Sequence, residues 1–496
     1  MTAHRCSLAI LGAAALAGCS FAPVYQVPAT DSAPPHYREL PDDWKQAQPL
    51  DASPRGAWWQ LFQDPQLDEL ENQALTANQT LKAAYARLRE ARDDTRVARA
   101  DYWPMINGLA SATRARASPN SPRYLAGSPT EGTDFDAEAD LSYEVDLWGR
   151  VRNEVASAKA SQQASAADLA SIRLSLSAEL AGDYYTLRSQ DQQASLLDRA
   201  VADYQQSLQL TQNLFDGGAA ALVDVAQAQA QLANARTQAS DVRLQRAQSE
   251  HAIAVLLGEN PSIFHLASDP LTLDRLPPSI DTGMPSSLLE RRPDVAEAER
   301  RVAAANAQIG VARAAYFPRF DIAGTAGFNS VHASNWLSAP SLFWSLGPEV
   351  TVPIFEGGRL RAQTDRAKES YNELVANYRS TVLTAFQDVE DNIAALRQLA
   401  LEGQTQAVAV NATGVALEQA QYRYRAGAVT YLEVATAETN ALQAQLAAVN
   451  IQTRRLTASV LLIKALGGGW QDSKVAQSGL SPLPDLRSIL SSGNAP

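Results

Sequence analysis

The chain has 496 residues, 46% hydrophobic and 19% charged, with a formal charge of -12 from 42 basic and 54 acidic side chains; at ~150 residues per domain the length corresponds to about three globular domains. The acid surplus leaves no surface able to neutralise a run of phosphates, which excludes nucleic acid as a partner. Cys6 and Cys19 are the only cysteines, and His4, His36, His251, His265 and His332 include no i, i+4 pair, so a disulfide framework, a zinc-finger array and a helical two-histidine metal site are excluded.

Residues 1–18 read as a signal peptide. Arg5 supplies a basic start, and Leu8 to Ala17 an apolar run too short to cross a bilayer. Leu16-Ala17-Gly18 precede Cys19 where a signal peptidase cuts, and the run resembles a bacterial lipobox. Cys19 is therefore the expected lipidation site, heading a lipid-anchored extended segment, 19–63; an ordinary secretory signal with a chance cysteine is the alternative. No later hydrophobic run approaches 18 residues. Any membrane-spanning part must then be built from strands, since only helices and closed barrels satisfy their backbone groups in lipid.

The next elements are a helix over 64–103 and a pair of strands with an outer loop over 104–148. From Asp134 to Leu147 apolar residues (Phe135, Ala137, Ala139, Leu141) alternate with polar ones, and the polar set contains Asp134, Asp136, Glu138, Asp140, Glu144 and Asp146. Those acids are the expected lumen-facing wall. Met105 to Arg116, Phe320 to Asn329 and Trp344 to Phe355 are the other strand candidates, each near the ten-residue length of an outer-membrane strand. Tyr102, Trp103, Trp148, Tyr316, Phe317 and Phe355 stand at their helix-side ends as an expected aromatic girdle.

None of the 25 prolines falls between Gly149 and Asn260 or between Ile354 and Leu480. These stretches, rich in good helix formers, predict long helical hairpins over 149–260 and 357–466, with tips at 216–222 and 425–431. Arg150 to Leu214 alone would make a helix ~100 Å long. An equatorial connector (261–291), a second helix (292–317), a second strand pair (318–356) and a C-terminal equatorial tail (467–496) complete the order. The chain is duplicated: Phe215–Val225 aligns with Tyr424–Val434 at an offset of 209, and Arg99–Pro104 with Arg313–Pro318 at 214. Four strands cannot close a barrel, so several chains must share one.

Leu16 to Cys19, Pro23-Val24-Tyr25, Trp58 to Phe62, the Leu288 to Val295 run (LLERRPDV), Ala296 to Phe317 with Ile309-Gly310, and Phe355 to Arg359 (FEGGR) together resemble the TolC-like outer-membrane efflux factors, in particular the NodT-type lipoproteins of resistance-nodulation-division (RND) pumps. The resemblance implies an α+β membrane protein: a homotrimer with a twelve-stranded outer-membrane β-barrel, four strands per chain, continuous with a periplasmic α-helical coiled-coil-like barrel and an equatorial domain. It also implies a periplasmic adaptor protein and an inner-membrane RND-type transporter as partners, contact with outer-membrane lipid, and passive conduction of drugs or other small molecules. A duct for ATP-driven protein secretion and a non-transporting surface lipoprotein are the alternatives.

The resemblance places adaptor docking at the tips, on Gly217, Gly218, Ala219, Gly427, Ala428 and Val429. It makes Asp224 and Glu433 periplasmic gate acids, with Tyr424, Arg423 and Arg425 as partners. Two readings of the acids stand: a gate, or caps opposing the helix dipole. A second acidic layer is missing, because Gln227 and Thr436 stand one turn later. The Glu297, Glu299, Arg300, Arg301 cluster reads as a solvated helix face, and Trp58-Trp59 as a packed belt anchor. No nucleophile elbow, P-loop or zincin motif occurs; no enzyme activity, catalytic residue, metal or cofactor is expected beyond the lipid on Cys19.

Overall fold

The computed structural model describes residues 20–29, 38, 57–122, 125, 127, 129–272, 277–278, 280 and 292–468. The signal segment with Cys19, residues 281–291 with the start of the LLERRPDV run, and the tail from 469 lie outside the described residues. In chain order the long elements are α1 (Pro65–Ala77), α2 (Gln79–Ala100), β1 (Met105–Arg116), β2 (Glu131–Glu144), α3 (Arg150–Asp216), α4 (Leu222–Leu256), α5 (Pro293–Ala314), β3 (Arg319–Ser330), β4 (Leu342–Thr351), α6 (Arg359–Arg425) and α7 (Tyr431–Ala465). The duplication is visible in their lengths: α3 and α6 each have 67 residues, α4 and α7 each 35, and α2 and α5 each 22.

One compact unit takes Arg87–Ser165 and Glu297–Tyr378 with the N-terminal residues up to Ala29. Its centre is an antiparallel sheet in the order β1-β2-β3-β4. The register puts Asn107, Ser111 and Thr113 of β1, the β2 acids Asp134, Asp136, Glu138, Asp140 and Glu144, Thr325 and Asn329 of β3, and Ser345 and Glu349 of β4 on one face. Ile106, Ala110, Ala137, Leu141, Ile322, Phe328, Trp344 and Val350 share the other. Such a sheet has one face for water and one for lipid.

Two strands end earlier than expected. β2 stops at Glu144: the Val145 amide still reaches across to Phe320 O on β3 (2.8 Å), and then the chain turns, the Leu147 amide bonding back to Val145 O (2.8 Å). β4 stops at Thr351, two residues before Pro353, which has no N–H to continue a ladder. Past the end of β2 the Trp148 indole donates to Pro318 O at 2.7 Å and its ring packs on Phe317.

An extended strap, Ser20 to Ala29, lies along one face of α5. Phe21 stacks on Phe317 with ring centroids 4.3 Å apart, Asn306 donates to Pro23 O (2.8 Å), Arg313 to Phe21 O (3.2 Å), and the Tyr25 hydroxyl donates to the Glu299 carboxylate. A Cβ at Gly310 would run into the Ala22 methyl and the Asn153 amide, which accounts for the glycine. Glu299 is 8% exposed, so the solvated-face reading of the 297–301 cluster is corrected: its inner acid receives the strap, while Glu297 and Arg301 pair one turn apart at 2.5 Å.

The second unit takes Ala166–Ala296 and the residues from Arg379, together with α1. Its helices begin as local chemistry requires: Asp64 caps α1, its carboxylate accepting the Gln66 and Leu67 amides at 3.1 and 3.2 Å ahead of Pro65. The single helix expected over 64–103 is two. Asn78 interrupts it, accepting the Leu81 amide (2.9 Å) as a new cap and donating to Leu256 O (2.8 Å). Trp58 and Trp59 are buried in a 3-10 turn before α1.

Glu71 sits on the buried face of α1 with Leu67, Leu70 and Ala74. Burial pushes its carboxyl up to about 8, Ser177 and Arg173 opposing the rise and Asp68 adding to it. A carboxyl raised in the folded state favours folding fully below its ordinary value of 4.5, and that contribution is lost as pH climbs to about 8. Glu71→Gln is therefore expected to flatten the fall in thermal stability across this window and to unfold at a higher temperature than the parent at pH 9, read by circular dichroism melts. Parallel curves for the two proteins would refute the assignment.

Candidate functional site

Both hairpins turn through the same backbone motif. Gly218 and Gly427 hold φ of 74° and 71°, and the amides after them reach back across the helix end: Ala219 to Leu214 O (2.7 Å) and Gly218 to Phe215 O (2.9 Å), then Ala428 to Arg423 O and Gly427 to Tyr424 O (both 2.9 Å). This is the Schellman arrangement, in which a left-handed glycine satisfies the last carbonyls. Gly217, Gly218, Ala219, Gly427 and Ala428 are exposed and Val429 half-buried. Beside them Leu222, Val223 and Leu432 are more than half exposed, an apolar fringe on an otherwise polar turn.

The two tip acids occupy equivalent positions and do different things. Asp224 accepts the Ala221 amide at 3.1 Å and caps α4. Glu433 instead pairs with Arg423 at 3.2 Å, both side chains about half exposed. Arg425 is the exposed last residue of α6. Tyr424 is turned inward: its hydroxyl shares a hydrogen bond with Thr211 (3.1 Å) and its ring packs edge-on against Tyr431, centroids 5.7 Å apart.

Behind the turns lies a polar cluster that the sequence reading missed. Glu438 is 2% exposed and accepts from the Ser207 hydroxyl (3.0 Å) and the Gln231 amide (3.1 Å). Gln231 in turn accepts from the hydroxyl of Tyr431 (3.0 Å), which is fully buried. Burial raises the Glu438 carboxyl above its ordinary value, against the pull of Ser207, Gln231 and Gln421. With Tyr424 and Thr211, these bonds join α3 and α4 of the first hairpin to α6 and α7 of the second. The signal was present: Tyr431, Val434, Glu438 and Ala441 are all buried on one seam of α7, and a carboxylate in an apolar seam needs partners.

The acidic face of the sheet is less uniform than its sequence. Asp134 accepts from Asn329 (2.9 Å) and Asp140 from Thr325 (2.8 Å) on β3, while Asp136 and Glu138 follow one another between them on the same face. Glu144 is engaged by the Arg150 guanidinium at 2.8 and 2.9 Å. Asp146 departs from the expectation: it lies beyond β2 and caps α3, accepting the Val151 and Arg152 amides at 3.2 and 2.9 Å. A negative wall therefore runs from Asp134 to Asp140 and ends in ion pairs.

Among the described residues no helix is long and apolar enough to cross a membrane, and no three His, Cys, Asp or Glu side chains converge as a metal site.

The profile of the outer membrane efflux protein family matches residues 70–259 and 284–468. The chain is 33% identical to the probable efflux pump outer membrane protein TtgC of Pseudomonas putida over 95% of its own length and 97% of the relative's. It is 34% identical to the pyoverdine export outer membrane protein OpmQ of Pseudomonas aeruginosa, over 88% and 92%. Among solved structures the outer-membrane channel OprN superposes with a TM-score of 0.80 at 31% identity, covering 91% of this chain and all of that one.

Proposed function

Because the chain belongs to the outer membrane efflux protein family, we propose that it is the homotrimeric exit duct of a tripartite efflux system, anchored in addition by lipid on Cys19. It is an outer-membrane efflux component; the trimer, the anchor and the tip roles are our reading. The observation that carries it is the four-stranded sheet, polar on one face and apolar on the other, whose β1 and β4 are left as edges. Bare edges are not tolerated in lipid. Three copies supply twelve strands and a lumen, where two supply eight and a bore filled by side chains.

In this reading the long hairpins form a periplasmic tunnel, and the Asp134 to Asp140 wall enriches cations in the barrel by its field. The exposed Leu222, Val223 and Leu432 beside the glycine turns suit a periplasmic adaptor that couples the duct to an inner-membrane RND-type transporter. The transporter selects the cargo. Relatives of this similarity bear names as different as efflux pump and pyoverdine export, which fits a duct that accepts what it is handed.

Asp224 and Glu433 form the proposed entrance ring, six acids in a trimer. Neutralising both, as Asp224→Asn with Glu433→Gln, is expected to raise single-channel conductance in planar bilayers severalfold while the trimer persists on native gels. Unchanged conductance would reject the gate and leave Asp224 as a cap alone.

A further inference from the structure

The apolar face of the sheet carries two arginines. The register sets Arg114 opposite Thr133 and Arg116 opposite Glu131, on the face that bears Ile106, Ala110, Phe135 and Leu141 rather than on the acidic one. Both are strongly exposed, with 77% and 72% of their side-chain surface free. Among the described residues the acid that pairs with them is Glu131, 3.3 Å from Arg114 and 3.8 Å from Arg116. Two guanidinium groups offer ten N–H donors, and one half-exposed carboxylate leaves a net positive charge with most donors open.

Height decides what they face. Arg114 and Arg116 are nine and eleven residues beyond Met105, which follows the exposed Trp103 at the helix-side end. At ~3.4 Å per residue and a tilt near 40°, the two lie about 23 and about 29 Å above the start of the strand. The apolar band of an outer-membrane barrel is ~25 Å tall. The arginines thus sit at the outer rim, where an outward charge is nearly free, and not at the midplane, where it is costly. The packed rings of Phe135 on β2 and Trp336 in the loop after β3, 5.6 Å apart, mark the same outer end.

We propose that Arg114 and Arg116 form a docking site for the phosphate groups of the anionic glycolipid that makes up the outer leaflet, the headgroup lying against the loop-side end of β1 and its acyl chains along Ile106 to Ala112. Guanidinium matches phosphate in a two-point fork that an ammonium cannot reproduce. The site rests on the proposal that this sheet is part of a barrel wall facing lipid.

The test uses the full chain purified in neutral detergent, with bisphosphorylated lipid A as the probe and native mass spectrometry as the readout. Wild type is expected to retain lipid A at least about tenfold more tightly than the Arg114→Gln, Arg116→Gln double variant, a difference of about 1.4 kcal/mol. Lipid A stripped of both phosphates should bind the two alike, and Arg114→Lys with Arg116→Lys should recover only part of the loss. Equal retention of lipid A by wild type and the glutamine variant overturns the proposal. Competition by millimolar inorganic phosphate assigns the site to a free anion and overturns the lipid source. Circular dichroism and bilayer conductance on the same preparations separate the two levels: a double variant with wild-type strand content and conductance has lost only the headgroup site, whereas wild type with neither strand content nor current would refute the barrel, and the lipid site with it.

Discussion

Tyr431→Ala is expected to leave the channel leaking. Tyr431 is fully buried, its ring lies edge-on to Tyr424, and its hydroxyl holds Gln231, which holds Glu438. Truncating a buried aromatic side chain costs ~3–5 kcal/mol, and leaving the Gln231 carbonyl unmet adds ~1–3 kcal/mol. The exposed Arg423–Glu433 pair has a value of ~0–1 kcal/mol by comparison. The buried cluster, whose bonds cross from α3 and α4 to α6 and α7, is therefore the restraint between the two hairpins, while the exposed ion pair lies within the second hairpin. Single-channel recording should show Tyr431→Ala in a high-conductance state most of the time. Tyr431→Phe, which keeps the packing and loses the bond, should fall between, and Arg423→Ala should shift conductance least. Cells carrying the alanine variant should also become sensitive to a large antibiotic normally excluded. If Arg423→Ala opens the channel fully while Tyr431→Ala stays closed, the latch belongs to the exposed pair.

The architecture was legible where a period or a repeat carries it. Strict alternation and a ten-residue length mark β strands whatever surrounds them, and the 209-residue offset recurs in the observed starts of α3 and α6 and of α4 and α7. Element ends were less legible because single bonds decide them: Asn78 divides one expected helix through a side-chain cap and a bond to Leu256 O. Asp146 continues the alternation of β2 in sequence, yet it ends as a helix cap because α3 begins four residues later. At the tips the motif located Asp224 and Glu433 without separating their roles. That difference depends on which basic side chain comes near, Arg423 in the second repeat where the first has Leu214. The Glu438 cluster draws on four helices distant in sequence, and no local pattern assembles Ser207, Gln231 and Glu438 in one place.

Asp191→Ala is expected to destabilise the helical unit strongly. The Asp191 side chain is 1% exposed and accepts from Arg188 (2.9 Å), Arg246 (2.6 Å) and the Asp269 amide (3.0 Å). The two arginines also reach the Ala267 and Leu266 carbonyls at 2.8 and 2.7 Å, so one carboxylate organises the segment after α4 against α3 and α4. Burial alone would raise this carboxyl, but the bonds from Arg246, Asp269 and Arg188 hold it below its ordinary value. Its contribution is thus present above the ordinary carboxylate range and lost as pH falls through the lowered value. Removing it leaves the buried Arg188 with uncompensated charge, while Arg246 keeps its pair with Glu250 at 3.1 Å, a loss of ~3–5 kcal/mol. For a unit of this size that corresponds to a fall of roughly 5–8 °C in apparent Tm. Circular dichroism melts at pH 7 should show the fall, and the gap to wild type should narrow on acidification as the parent loses the same charge. Asp191 lies 25 residues from the end of α3, ~38 Å along the helix, so conductance measured well below the melt should match wild type. A melting temperature within 2 °C of the parent would show that Arg188 and Arg246 find other partners, and an open channel at low temperature would mean that this clip, and not only the tip cluster, restrains the hairpins.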